Sequence, residues 1–302
     1  MNKKTLILAI VLIVMIALAY LYQGPLKKWQ TNLGKTKNFL VKVEVDKIDK
    51  IEITTADKTV ILEKQFQKWK ISDTKNFYAQ PQLVDELLKN LRELQQADLE
   101  LVSKDKNTKS EFKTDQNGIA VKLFEGSKIT LFTVGKTGPD FISAYLSQPE
   151  VATTYAVKLN LETALTPSEW RETTIFSTAK EKITKIRFQY PNREFSLEKK
   201  DGQWTGILPS SFPVSQEKIE KILEIMSQLQ ATRIPEQTFA GTGLEKHLII
   251  VQTTGEGVDN TLMVGQANKD NLYFAKTGDS DNIYLITKEQ RDELDKWIWQ
   301  LK

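Results

Sequence analysis

The segment "DKIDKIEITTADKTVILEKQFQKWKI", residues 46–71, returns later in the chain as "EKITKIRFQYPNREFSLEKKDGQWTG", residues 181–206. The two segments align without a gap, and Trp69 matches Trp204 in that alignment. Paired Lys-Ile residues and a Leu-Glu-Lys triplet fall at the same places in both. Agreement over so long a stretch indicates an internal repeat, so the chain contains two copies of one structural unit.

Each copy opens with apolar residues that alternate with polar ones, which is typical of strands with one buried face. The turn-forming stretches "TADK" and "YPNR" separate two such runs in each copy. The alternating positions are Ile51, Ile53, Val60 and Leu62 in the first copy and Ile186, Phe188, Phe195 and Leu197 in the second. The pattern predicts antiparallel hairpins.

An amphipathic helix follows the hairpins in each copy. Pro81 suits the first turn of the first helix, and Ser215 is a good N-cap for the second. The apolar stripes are Val84, Leu87, Leu88, Leu91 and Leu94 in the first helix and Ile219, Ile222, Leu223, Met226 and Leu229 in the second. Such stripes predict helices that pack on a core.

The later part of each copy reads as short strands joined by Gly, Asn and Asp turns, and each copy closes with a short helix. The last of these helices is predicted in "TKEQRDELDKWIWQLK", residues 287–302, with Leu294, Trp297, Ile298 and Leu301 on its core-facing stripe. The fold class is therefore α+β, with two homologous lobes of antiparallel sheet and packed amphipathic helices. Residues 38–172 form the first repeat and residues 173–302 the second.

The N-terminal residues have the character of a membrane segment. Residues 5–26 carry no charge, and Lys3 and Lys4 precede them. As a helix this stretch rises roughly 33 Å, about the thickness of a bilayer core. A cleaved signal peptide is the alternative, because Ala17-Leu18-Ala19 resembles a cleavage site. We expect a transmembrane anchor over residues 1–26, a linker over residues 27–37, and a body outside the cytoplasm.

"VGKT", residues 134–137, resembles the end of a nucleotide-binding phosphate loop, but two observations argue against one. Thr130 stands where the first glycine of the motif is needed, and the second copy replaces Lys136 by Gln266. We therefore expect no nucleotide and no other cofactor. Gly135 and its counterpart Gly265 are predicted as turn or bulge residues, where a glycine can take a positive φ.

Composition excludes several classes of function. The 302 residues contain no cysteine and one histidine, His247, which we place at the surface or edge of a strand. Sites built from several histidines or from cysteine ligands are therefore excluded. The net charge of +3 is spread along the chain, which argues against a nucleic-acid partner. We predict no catalytic residues and no metal site.

Four tryptophans are the candidate contacts for a ligand or partner. Trp69 and Trp204 could stack on a sugar or peptide, but their recurrence in both copies favours a role in the core. Trp297 and Trp299, near the C-terminus, could contact a partner or the membrane surface.

With these motifs in view, the chain resembles a bacterial family catalogued as domain of unknown function 4340 (DUF4340). The motifs that carry the resemblance are Val134-Gly135-Lys136 with Tyr145 and Tyr155, and Val264-Gly265 with Tyr273 and Tyr284. The second copy departs from the family pattern at Gln266. The resemblance implies a membrane-anchored companion of ABC-type transport systems, related to auxiliary components of gliding motility. It brings no catalytic residues.

The sequence predicts a non-catalytic scaffold, held in the cytoplasmic membrane by a single pass through residues 5–26. The family resemblance implies an ABC transporter subunit as its partner. The alternative is a cell-envelope protein that binds glycan or peptide through Trp69 and Trp204. A third possibility is an envelope hydrolase that uses carboxylates which the sequence does not pair.

Overall fold

A computed structural model describes residues 12–16, 19, 20, 22, 35–72, 74–246 and 249–302. Most of the predicted anchor and linker, as well as His247, lie outside the described residues. Within the described part, none of the helices has the length and apolar character needed to span a bilayer.

The chain divides into two compact units. Unit 1 contains the described residues up to Val60 together with Asp85–Pro167, and unit 2 contains Ile61–Val84 and Ser168–Lys302. In the sequence, the segment Ile61–Val84 is part of the first repeat, but in the structure it belongs to unit 2. In unit 2 the backbone N–H of Gln80 donates to the carbonyl of Trp170 at 2.8 Å. The repeat boundary between residues 172 and 173 stays a prediction.

Unit 1 is built on antiparallel strands. Their bounds are β1 Lys35–Lys37, β2 Lys50–Thr54, β5 Asp98–Ser103, β6 Ile119–Glu125, β7 Lys128–Thr137, β8 Ala144–Ser147 and β9 Thr154–Val157. In the sheet they follow one another in the order β1-β5-β9-β8-β7-β6-β2. Every neighbouring pair in this order is antiparallel.

In unit 2, the part of β3 (Thr59–Gln65) that follows Val60 forms a hairpin with β4 (Lys68–Ile71). The unit also contains a sheet in the order β14-β13-β12-β11-β16-β17-β18-β19. The bounds of the sheet strands are β11 Ile183–Tyr190, β12 Arg193–Lys200, β13 Gln203–Leu208, β14 Phe212–Pro213, β16 Ile249–Gly255, β17 Val258–Ala267, β18 Tyr273–Thr277 and β19 Tyr284–Ile286. A separate pair joins β10 (Thr174–Ser177) and β15 (Gln228–Gln230). All of these pairings are antiparallel, which confirms the predicted sheet type.

The strand registers repeat between the copies. Ile53 of β2 pairs with Val121 of β6, and the matching Phe188 of β11 pairs with Val251 of β16. The hairpins agree as well, because Gln65 pairs with Lys68 in one and Lys200 with Gln203 in the other. Matching registers in both copies support the repeat that the sequence predicts.

The two predicted amphipathic helices are present. Helix α1 spans Pro81–Gln96 and α3 spans Gln216–Ser227, whereas α2, Glu162–Leu165, is a single turn. The residues of the apolar stripes are buried, apart from the half-buried Leu88. Leu229, predicted on the second helix, lies after its end, in β15. Ser215 occupies the N-cap of α3, but its side chain makes no cap hydrogen bond. Its backbone N–H donates instead to the carbonyl of Leu301 at 2.7 Å.

The predicted single helix at the C-terminus is wrong. The structure has two short helices, α4 (Lys288–Leu294) and α5 (Ile298–Leu301). The Tyr190 hydroxyl donates to the carbonyl of Leu294 at 2.7 Å and accepts from the backbone N–H of Lys296 at 3.0 Å. These hydrogen bonds use backbone groups that a continuous helix needs, so the chain leaves the helical path there. Trp297 is consequently not on a core-facing stripe.

Gly135 and Gly265 lie at matching bulges, as predicted, but not for the predicted reason. The β7–β8 register shifts after Val134, and the β17–β18 register shifts after Val264. Neither glycine has a positive φ. A Cβ at Gly135 would stand 2.2 Å from the carbonyl oxygen of Phe112, and one at Gly265 would stand 2.2 Å from that of Thr242. Close approach of a loop backbone is what excludes a side chain.

Positive φ angles occur instead at the tips of matching turns. Between β3 and β4, Phe66 has φ 56, and Asp201, at the same place between β12 and β13, has φ 51. Between β7 and β8, Phe141 has φ 60, and its counterpart Asn271 has φ 59. Asp and Asn tolerate this conformation better than bulky residues do. At both turns the first copy carries the less suitable residue.

Candidate functional site

The candidate site begins at the turn between β11 and β12. Tyr190 ends β11 and Arg193 begins β12, and the two residues are direct cross-strand partners. The residues between them, Pro191-Asn192, form the tight turn that "YPNR" predicts. The turn places the Arg193 guanidinium over the Tyr190 ring, 3.7 Å from its centroid.

The segment between α4 and α5 completes this arrangement. The Arg193 guanidinium lies 4.2 Å from the centroid of the Trp297 ring, so two aromatic rings contact it. Its Nε donates to the carbonyl of Lys296 at 3.2 Å, and its Nη2 pairs with the Asp295 carboxylate. The Asp295 carboxylate also forms an ion pair with the Arg291 guanidinium at 2.6 Å. Stacking and charge-assisted hydrogen bonds together hold the guanidinium in one orientation.

Tyr190 connects the turn to the C-terminal segment through the two hydrogen bonds of its hydroxyl. Burial raises the pKa of Tyr190 to about 12, and the N–H of Lys296 and the charge of Arg193 oppose this shift only in part. Burial disfavours the phenolate because the charged form loses its hydration. The phenol therefore stays protonated at physiological pH and remains a hydrogen-bond donor to Leu294.

We expect the contribution of Tyr190 to stability to be complete below pH 10 and to disappear as the pH rises towards about 12. The sign follows from the pKa, which is 10.0 for the free group and higher in the folded protein. Tyrosinate absorbance would be measured against pH for the wild type and for Tyr190→Phe. The difference between the two curves, which reports Tyr190 alone, should show a pKa well above 10. A difference curve centred at the ordinary pKa would contradict the buried, hydrogen-bonded phenol.

The four candidate tryptophans separate into two kinds. Trp297 and Trp299 are exposed, at 47% and 69%, and the Trp297 ring stacks on the Arg193 guanidinium. Trp69 and Trp204 are only 8% and 4% exposed. The latter two rings lie in the core and offer no face for stacking on a sugar or peptide. We name Tyr190, Arg193, Trp297 and Trp299 the C-terminal aromatic surface.

Each copy also has a cleft beside the same two strands. In unit 1 the cleft has a volume of about 850 Å³ and is lined in part by Lys122 and Leu131. The counterparts of these residues, Gln252 and Thr261, line a cleft of about 470 Å³ in unit 2. Lys109 is buried in the first cleft, where its Nζ donates to the carbonyls of Gln148 at 2.8 Å and Pro149 at 3.2 Å. Burial lowers the pKa of Lys109, and its two carbonyl contacts give it a structural role.

Comparison with known proteins shows which family the chain belongs to. A family model described as "Domain of unknown function (DUF4340)" matches residues 69–211 and again residues 204–298. The chain belongs to the DUF4340 family. No curated protein and no solved structure matches it. The DUF4340 model matches this one chain twice, which agrees with the two copies of the repeat found in its sequence.

The structure gives the residues of the DUF4340 resemblance structural roles. Gly135 lies at the bulge described above, and Tyr145 packs on Phe112, with ring centroids 4.7 Å apart. Tyr284 is buried and contacts Phe77 edge-on at 5.7 Å. Within the described part of the chain, no three His, Cys, Asp or Glu side chains are grouped as metal ligands.

The sequence of this DUF4340 protein indicates Trp297 and Trp299 as candidate contacts but gives little sign of Tyr190 and Arg193. These residues contact partners about a hundred positions away along the chain. Their only local signal is an aromatic and an arginine on either side of a Pro-Asn turn.

Proposed function

We propose that this protein is a membrane-anchored, extracytoplasmic docking component of an ABC-type transport system and has no catalytic activity of its own. The observation that carries the proposal is the C-terminal aromatic surface. Tryptophan, tyrosine and arginine are the residues most enriched among binding hot spots between proteins. Tyr190, Arg193 and Trp297 are held in place by hydrogen bonds and stacking, so these three side chains lose little freedom on binding.

The transport system as partner comes from the family resemblance, since the matching family model describes no function. A membrane tether over residues 5–26 would raise the effective concentration of the body near an integral-membrane partner. The alternative, binding of glycan or peptide on Trp69 and Trp204, would require both rings to leave the core. We therefore favour a protein partner.

The test is purification of the full-length protein from native membranes in mild detergent. We expect an ABC permease or ATPase subunit to be recovered with it. Because a hot-spot tryptophan contributes about 2 kcal/mol or more, Trp299→Ala should reduce that recovery more than about tenfold. Trp299→Phe should retain part of it. Ile129→Thr, at an exposed apolar position of unit 1, is the control and should change nothing.

Repeated purifications without a transport subunit would contradict the proposed partner. Equal recovery with the wild type and Trp299→Ala would show that the partner binds elsewhere on the protein.

A further inference from the structure

The turn between β3 and β4 carries an aromatic residue that the described chain does not bury. Phe66 at its tip is 99% exposed. It also has a positive φ, which is unfavourable for a bulky L-residue. Neither packing nor backbone conformation therefore accounts for a phenylalanine at this position.

The second copy shows which residues suit the same turn. Asp201 stands at the position of Phe66, with φ 51, and Gly202 follows it with φ 81. Asp-Gly is among the best pairs for a two-residue hairpin turn. The registers of the two hairpins are the same, so the difference lies in what each tip presents to its surroundings.

The hairpin holds Phe66 away from the core. Trp69 is buried below the tip, and its carbonyl accepts from the backbone N–H of Ala79 at 2.7 Å. The N–H of Ile71 donates to the carbonyl of Phe77 at 3.0 Å. These contacts fix the base of the hairpin, while residues 64–68 are all exposed.

The charges around Phe66 indicate what could cover it. The tip reads Lys64-Gln65-Phe66-Gln67-Lys68, with two cations and no anion. Lys68 Nζ lies 5.3 Å from the centroid of the Tyr78 ring. An aromatic side chain flanked by lysines and uncharged polar residues fits the interface of a bilayer with anionic lipids. There the ring enters the headgroup region and the ammonium groups meet lipid phosphates.

We propose that the β3–β4 turn inserts Phe66 into the headgroup region of an anionic membrane. This inference rests on the membrane location in the proposed function. It adds a second contact with the bilayer, made by the folded body. The hairpin of the second copy, with lysines but no aromatic residue at its tip, would lack this contact.

The absence of native cysteine allows a site-specific reporter. Gln67→Cys in the full-length chain would be labelled with a fluorophore that brightens in apolar surroundings. The control is Gln203→Cys, which follows the Asp201-Gly202 tip of the second hairpin. Both proteins would be reconstituted in phosphatidylcholine vesicles with and without phosphatidylglycerol. We expect emission at position 67 to rise at least about twofold in the anionic vesicles, and to be quenched by nitroxide-labelled lipid. Position 203 should not respond.

Phe66→Asp, which gives the tip the residue found in the second copy, should abolish the response at position 67. It should not lower thermal stability, so loss of signal cannot come from unfolding. Lys64→Gln with Lys68→Gln should reduce the response in anionic vesicles.

If the chain fails to float with vesicles at all, the proposed membrane location fails. If it floats but position 67 responds no more than position 203, the Phe66 inference fails on its own. A response that appears only in native membranes, and not in vesicles of pure lipid, would overturn the lipid contact in favour of a protein pocket.

Discussion

Gly265→Ala is expected to lower the free energy of unfolding by about 3 kcal/mol or to prevent folding. The new Cβ would stand 2.2 Å from the carbonyl oxygen of Thr242 and 3.1 Å from the backbone nitrogen of Leu244. Both are backbone atoms, and the neighbouring N–H of Gln266 holds the same carbonyl by a 2.8 Å hydrogen bond. The loop therefore has to move, and the hydrogen bond is lost with it.

Denaturant unfolding of the purified variant measures this effect. Gly257→Ala, in the turn just before β17, is the control, because Gly257 has a positive φ but no atom within 4 Å of its Cβ position. Its expected loss is about 1 kcal/mol from backbone conformation alone. If Gly265→Ala were no more damaging than Gly257→Ala, close approach would not be the reason for the glycine. Gly135→Ala should repeat the large effect in unit 1.

Trp204→Ala is expected to cost about 3–5 kcal/mol of stability, because it removes a large side chain from a packed core. Trp204 belongs to the core cluster of unit 2 that includes Leu197, Ile219 and Leu223. Trp299→Ala removes the same side chain from the surface and should change stability by less than about 0.5 kcal/mol. The pair thus compares a structural tryptophan with one available for binding.

Thermal or denaturant unfolding of both variants decides between these roles. Trp69→Ala should behave like Trp204→Ala, since both rings are buried at matching positions. A Trp204→Ala protein of wild-type stability that had lost binding to a glycan or peptide would restore the ligand-binding alternative.

Much of the fold could be predicted because its determinants are local or repeated. The alternation of apolar and polar residues in β2 and β11, and the apolar stripe of α3, can be recognised within a few consecutive residues. Because the chain contains two copies, an element assigned in one copy can be checked against the other. The bulges at Gly135 and Gly265 were predicted for the same reason. The close contact with the loop carbonyl was not, because it joins segments that lie far apart along the chain.

The break before Trp297 shows the limit of local pattern. Residues 287–302 read as one helix, yet the hydroxyl of Tyr190 takes up backbone groups on both sides of Asp295. The same long-range contacts build the C-terminal aromatic surface. The sequence therefore indicates the two exposed tryptophans of the candidate site, but not Tyr190 and Arg193, of which Arg193 stacks on Trp297.

The matching turns with positive φ have a practical consequence for protein engineering. Asp201-Gly202 and Asn271 are suitable replacements for Phe66-Gln67 and Phe141, because Asp201 and Asn271 have nearly the same positive φ at the matching turns of the second copy. We expect these substitutions to raise the thermal stability of the folded part of the protein, which would help crystallisation. The same substitutions would remove Phe66 and Phe141, which are 99% and 81% exposed and so available to a binding partner. A variant stabilised in this way should therefore not serve as the reference protein in binding assays.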